Sequence, residues 1–419
     1  MSTAFRVVLE GSQEVPATGS TASGLGTVIF DSVATTASYS FRIEGVDFGP
    51  AIGAAPQTPS ILDDVTRTHF HTAVAGVNGP IVFGQIDTVD PAFEQDNDDL
   101  AIVLNADGSW SESGVWETTD PPNPMGVTIT DFADQLGSAT VGMAVPLYFN
   151  VHTSEFGGGE IRGQLVAIAD DNANVVEGTA GDDLLPGLGG DDVILGRAGN
   201  DTIQGGDGND FMSGGPGDDN FNTGAGNDVV LGGTGDDRIG GMAGRDIVRA
   251  GDGNDTIAWN DPTGDVVFGG RGNDTILGGD VAADEIHGGA GDDLIRAFTT
   301  SPEAATASDK LFGGRGNDVV IGGNAADTIE GGRGDDFLTG NDGADVFVFR
   351  NDQNGADTVT DFDPSEDVAQ LVGFDASFDP LAALSAQAAG TELDLGGGNS
   401  VLFQGRTLAE FSADDFQIA

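Results

Sequence analysis

The chain has 419 residues, 69 of them acidic and 15 basic, for a formal charge of −54. Phosphates would repel so acidic a surface, which argues against nucleic acid and anionic membranes as partners and in favour of cations. There is no cysteine, so a disulfide framework, a zinc–thiolate site and an iron–sulfur cluster are all excluded.

Hydrophobic residues make up 38% of the chain, too many for default disorder, yet 68 glycines raise the entropy that folding must overcome. Bound metal is the natural compensation, because its binding energy becomes folding energy. Met1–Glu10 lacks the apolar run of a cleavable signal peptide. No stretch approaches the length of apolar sequence that a membrane span needs, so no membrane insertion is expected.

Residues 1–168 read as short strands: Phe5–Leu9, Gly26–Asp31, Ala37–Ile43, Ile81–Gln85, Leu100–Leu104, Val141–Val151 and Ile161–Ile168. Val, Ile, Phe, Thr and Tyr dominate these runs, turn residues separate them, and no helical apolar period intervenes. The expectation is an antiparallel β-sandwich or barrel. Three stretches stand out within it: Gly11–Pro16 with Gly24–Thr27, Thr68–His71 leading to Gly76–Val82, and Leu147–Thr153 with Gly158–Gln164. Together they resemble the CHRD domain of chordin and many microbial proteins, a resemblance that implies an extracellular location and, from chordin, ligand binding.

His69 and His71 lie two residues apart and would share one face of a strand, and His152 lies on another predicted strand. Converging, the three imidazoles could hold Zn²⁺ or Cu²⁺ with an open position; otherwise they hydrogen-bond to loops. His287, in the ninth position of a later repeat, reads as a surface residue. Neither HExxH nor GxSxG occurs, which points away from a metalloprotease or a serine lipase. Glu14, Glu155 and Glu160 could serve as acid–base carboxylates but read as solvated, or for Glu160 as paired with Arg162. No catalytic residue is assigned.

A linker, residues 169–177, leads into a different texture. From Gly178 nine consecutive nonapeptides follow the form Gly-Gly-x-Gly-x-Asp-x-apolar-x. Position six is Asp183, Asp192, Asp201, Asp210, Asp219, Asp228, Asp237, Asp246 and Asp255; position eight is apolar each time, from Leu185 to Ile257. The period slips at Trp259 and again within Val281–Asp284, leaving Asp265, Asp274, Asp284 and Asp293 recognisable. Residues 297–308 form an insertion, and a second block carries Asp309, Asp318, Asp327, Asp336 and Asp345.

Calcium wants six to eight oxygens in a forgiving geometry. The glycines permit a tight loop that turns carbonyls to one side, the aspartate closes it with a carboxylate, and three residues remain for a short strand with an inward apolar side chain. Two repeats then make one coil, and aspartates eighteen residues apart stack along one edge. The calcium ligands are predicted to be those nine aspartates with Asp274, Asp293, Asp309, Asp318, Asp327, Asp336 and Asp345, holding about ten ions between stacked loops. The pattern over residues 178–348 resembles the RTX (repeats-in-toxin, haemolysin-type) calcium-binding family, which implies a parallel β-roll. Arg245 beside Asp246, and the missing fourth-position glycines before Asp284 and Asp327, depart from it.

The segment 350–419 contains Gly355–Asp363 and ends acidic then apolar. It is similar to the uncleaved C-terminal signals of RTX proteins exported by type I secretion, and could equally cap the last coil of the roll, residues 178–349. The sequence thus predicts an all-β chain: a CHRD-like sandwich or barrel, a calcium-bound parallel roll and a C-terminal cap. Its expected partners are calcium, type I secretion machinery and an extracellular protein, glycan or surface. A metalloenzyme built on His69, His71 and His152, and a structural part in a surface layer or biofilm, are the alternatives.

Overall fold

The computed structural model describes residues 2–13, 20–51, 65–73, 77, 81–87, 100–118, 120, 128–154, 159, 161–279, 281–301, 306–352 and 355–419. The chain is all-β, with 53% strand and 6% helix. It divides into two compact units, Met1–Val176 with Pro186–Gly189 and Glu177–Leu185 with Gly190–Ala419. No helix among the described residues is long and apolar enough to cross a membrane.

Among the described residues, the N-terminal unit contains nine strands: β1 (Ser2–Glu10), β2 (Ser23–Asp31), β3 (Thr36–Glu44), β4 (Val65–Thr72), β5 (Ile81–Asp87), β6 (Ala101–Leu104), β7 (Trp110–Trp116), β8 (Ala144–Thr153) and β9 (Ile161–Asp170). They form one antiparallel sheet in the order β5-β4-β8-β9-β1-β2-β3-β7-β6. Of the two architectures expected, the barrel-like one is realised, as a single sheet curled into a half-barrel. Alternation of burial along β3 and β9, and alternate residues of the continuously buried stretch of β8, send Phe41, Leu147, Phe149, Val151 and Leu165 into one core with Phe5, Phe30, Phe70 and Phe83. Phe41 stacks on Phe149 at 3.9 Å between centroids.

The second unit is a parallel β-solenoid of about 11 turns. Its strands alternate between two parallel sheets, so that Val193–Leu195 pairs with Phe211–Pro216, and Thr202–Asp207 pairs with Asn220–Ala225. The register is 18 residues per coil, as two nonapeptides require: Ile194 faces Met212 and Ile203 faces Phe221. Each slip in the repeat lengthens one coil without breaking the stack. Val248 pairs with Val267 nineteen residues on, and across the insertion Ile286 pairs with Leu311. Every eighth-position side chain from Ile194 to Leu338 is buried, and these one-residue-deep columns make up most of the apolar interior of the repeats, joined by Met242, Ala250, Trp259, Ala297 and Phe298.

Glycine is required where adjacent coils touch. Gly215 has φ 112°, and a Cβ there would lie 1.9 Å from the carbonyl oxygen of Arg197 in the coil before. Beyond the repeats, Val368–Val372 continues one sheet from Val346–Arg350, and Phe416–Ile418 adds its last strand. The other sheet ends differently: Asn399–Gln404 pairs parallel with Ala356–Val359 and then antiparallel with Gly390–Gly396. Phe362, Phe403, Phe411 and Phe416 pack together there, with centroids 4.7–6.4 Å apart.

Candidate metal centres

The sixth-position aspartates of the roll are buried, from Asp183 to Asp345. They stack in two continuous ladders. Along one, the backbone N–H of each aspartate donates to Oδ1 of the next: Asp183 to Asp201, Asp201 to Asp219, Asp219 to Asp237 and Asp237 to Asp255, at 2.7–2.8 Å. It continues through Asp274, Asp293, Asp318 and Asp336 to Asp357. The other runs from Asp192 through Asp210, Asp228 and Asp246 to Asp265, Asp284, Asp309, Asp327, Asp345 and Asp367. The aspartates predicted to bind calcium thus fall into two rows, alternating as their spacing requires.

One carboxylate oxygen is consumed by this ladder; the other is left over. Oδ2 of Asp201, Asp210, Asp219, Asp228, Asp237, Asp246, Asp255, Asp274, Asp293, Asp309, Asp318, Asp336 and Asp345 is buried with no hydrogen-bond donor. That oxygen sits over the first glycine of its own loop. A Cβ on Gly196 would lie 2.4 Å from Asp201 Oδ2, and one on Gly232 would lie 2.5 Å from Asp237 Oδ2. Rows of buried anionic oxygens without donors are costly unless cations meet them.

The carboxyls register that cost. Burial pushes them up, to about 8 for Asp265, Asp309 and Asp345. Asp237, Asp246, Asp274 and Asp318 rise to about 7 for the same reason. In each the N–H from the coil before pulls the other way, and stacked aspartates add to the rise. An oxygen donor set of this kind suits a hard divalent ion, and the residues present fit calcium.

In the N-terminal sheet, β4 places His69 and His71 on the face away from the aromatic core, while Phe70 points into it. β8 pairs antiparallel with β4, setting Asn150 opposite His69, Tyr148 opposite His71 and Arg67 opposite His152. The three histidines, for which the sequence left both convergence and loop hydrogen bonding open, lie together. Nε2 of His69 and Nε2 of His152 are 2.9 Å apart, and one ring nitrogen from each histidine lies within 4.8 Å of the others. Burial, followed by the charges of His71 and His152, pushes the His69 imidazole well below its ordinary value. His287 lies on the roll, half exposed, between Phe268 and Phe312 at 4.7 and 4.5 Å. Glu14, Glu155 and Glu160 lie outside the described residues.

Two family comparisons match the chain: the CHRD domain over residues 5–165, and the RTX calcium-binding nonapeptide repeat in overlapping segments from 168 to 257, 260 to 295 and 304 to 355. The chain joins a CHRD domain to RTX calcium-binding repeats. None of the curated proteins compared with it matches. Among solved structures, the extracellular lipase LipA from Serratia marcescens is similar at 21% identity, with a TM-score of 0.28. That match covers 59% of this chain and 42% of the lipase, so the chain spans under half of its length.

Within the RTX roll, the three irregular repeats behave differently from one another. Oδ2 of Asp284 accepts the N–H of Gly279 at 3.2 Å, and Oδ2 of Asp327 accepts that of Gly323 at 2.7 Å. Protein donors thus take the oxygen that other repeats leave over. Asp246 keeps the unpartnered oxygen despite Arg245. Asp265, which the period slip had set aside as a ligand, stands in the ladder with Oδ2 unpartnered. A second ladder, at position five, was missed altogether. Oδ1 of Asp182, Asn200, Asp218 and Asp236 accepts the N–H of Asn200, Asp218, Asp236 and Asn254 in turn, each bond running from the later coil to the earlier, opposite in direction to the sixth-position ladder. The signal for it was present, since that position is Asp or Asn in eight of the first nine repeats and Arg245 is the exception.

Proposed function

We propose that this is a secreted protein whose RTX roll folds on calcium after type I export and then presents the CHRD sheet to an extracellular protein, glycan or surface. The observation that carries this reading is the double row of buried Oδ2 atoms without donors along the repeats, interrupted at Asp284 and Asp327. The sixth-position aspartates from Asp183 to Asp345 supply carboxylate ligands, and the glycine-rich loops supply carbonyls; about ten ions fit between stacked loops. In the low calcium of a cytosol the like charges keep the segment open, which suits threading through a channel. At extracellular calcium the same charges become ligands and the coils close.

The last strands of the roll, to Ile418, make residues 350–419 both cap and export address in this reading. Circular dichroism of the full chain in chelator and in excess calcium tests it. The β signal of the roll should be absent in chelator and appear cooperatively with calcium. An equal signal in both would refute the reading.

A further inference from the structure

Beyond the calcium roll, the N-terminal sheet holds a second set of metal-ligating groups of the opposite chemical character. We propose that His69, His71 and His152 form a transition-metal site, taking one Zn²⁺ or Cu²⁺ on three imidazole nitrogens and leaving a coordination position for an exogenous ligand. The donors are set by the sheet itself. Two come from alternate positions of β4 and the third from the neighbouring strand β8, two residues along from Asn150, the register partner of His69. Ring centroids of His69 lie 4.5 Å from His71 and 4.6 Å from His152.

Two observations point to a ligand rather than to a hydrogen-bonded cluster. His69 is 1% exposed, and its Nδ1 has no hydrogen-bond partner. Asn150, directly opposite His69 in the β4–β8 register, is also buried with its Oδ1 lacking a donor. A neutral imidazole pair sharing one proton between Nε2 atoms would satisfy one contact and leave these two groups unmet. An ion with a coordinated water offers what both lack, a positive centre and O–H donors.

The site is also held from one side. The Tyr148 ring stacks on His71 at 4.8 Å and 2° between planes, and the Arg162 guanidinium lies 4.2 Å over Tyr148. Tyr148 and Arg162 are therefore positioning residues that fix the His71 ring. Nitrogen donors select Zn²⁺, Cu²⁺ or a similar ion over calcium, whose ligands are oxygens. The two kinds of ion would thus sort between the two parts of the chain by ligand chemistry alone.

The test uses the full chain in excess Ca²⁺, which occupies the roll, titrated with Zn²⁺ or Cu²⁺ in a calorimeter. The expected result is one tight equivalent, weakened on the order of 100-fold by His69→Ala or His152→Ala and unchanged by His287→Ala. Identical isotherms for wild type and for both variants, or no tight equivalent, would overturn the proposal. Should those variants fail to fold, electron paramagnetic resonance of the Cu²⁺-loaded wild type decides: imidazole nitrogen couplings support the site, and an all-oxygen signal refutes it.

Discussion

Replacing Asp237 with Asn separates the two uses of one carboxylate. Oδ1 of Asp237 accepts the Asp219 N–H at 2.8 Å, and its Oδ2 is buried without a donor. Asparagine keeps an acceptor for the ladder and removes the charge. Burial, followed by the stacked Asp255 and Asp219, pushes the folded-state carboxyl to about 7 against 3.8 for the free group. An acid raised in this way opposes folding above pH 3.8, and its penalty is complete above about pH 7. Three units correspond to about 4 kcal/mol. The loop keeps partial contact with solvent, and screening reduces this to about 1–2 kcal/mol. Without calcium, D237N should therefore fold more readily; with calcium it lacks an anionic ligand and should need several-fold more of the ion. The assay is far-UV circular dichroism of the full chain in two titrations at about pH 7.5, one with a folding osmolyte in chelator and one with calcium. The osmolyte midpoint should fall while the calcium midpoint rises. Shifts in the same direction, or no shift in calcium, would refute the assignment of Oδ2 as a ligand.

Two further substitutions probe the fold that positions these groups. Gly226 has φ 143°, and a Cβ there would come 1.7 Å from the carbonyl of Gly208, so G226A should cost about 3 kcal/mol or more and raise the calcium midpoint sharply. G396A, at φ 85° with open space around it, should cost only about 1 kcal/mol; equal effects would show that coil contact is not the reason for the glycine. In the N-terminal sheet, Glu112 is fully buried, accepts the Thr68 hydroxyl at 2.7 Å, and burial pushes its carboxyl to about 8. The sheet should lose stability as pH rises from 4.5 to about 8, by up to about 4–5 kcal/mol, while E112Q should stay level over that window. Tryptophan fluorescence during thermal unfolding reads this through Trp110 and Trp116, and parallel pH profiles for the two proteins would contradict it.

The roll was legible because its physics is local. Loop, strand and inward side chain recur within nine residues, so Asp201 and Ile203 announce their roles from spacing alone. What was lost at Asp265 was lost to a one-residue slip, which the stacked coils absorb by lengthening a single turn. The N-terminal sheet was legible only in part. β4, Val-Thr-Arg-Thr-His-Phe-His-Thr, and β7, Trp-Ser-Glu-Ser-Gly-Val-Trp, carry too few apolar residues to read as strands. β7 buries Glu112 on the inward face where an apolar side chain would be expected. That these strands close one sheet rather than two is decided by long-range pairing, such as β1 with β9, which no local pattern encodes.

The two halves of the chain therefore rest on different sources of stability. In the half-barrel a contiguous aromatic core can hold the sheet without help. Each nonapeptide of the roll, by contrast, buries one apolar side chain and orders nine residues, several of them glycine, which is too little apolar surface to offset the entropy. The deficit is a property of the sequence and does not depend on which surface the protein meets. Because the orphaned Oδ2 atoms make the ion-free coil costlier still, the repeats are built to be unstable wherever calcium is scarce. Under the proposed export, such a segment would convert a calcium difference across a membrane into a folding step, with Phe416–Ile418 as the last strand to join its sheet.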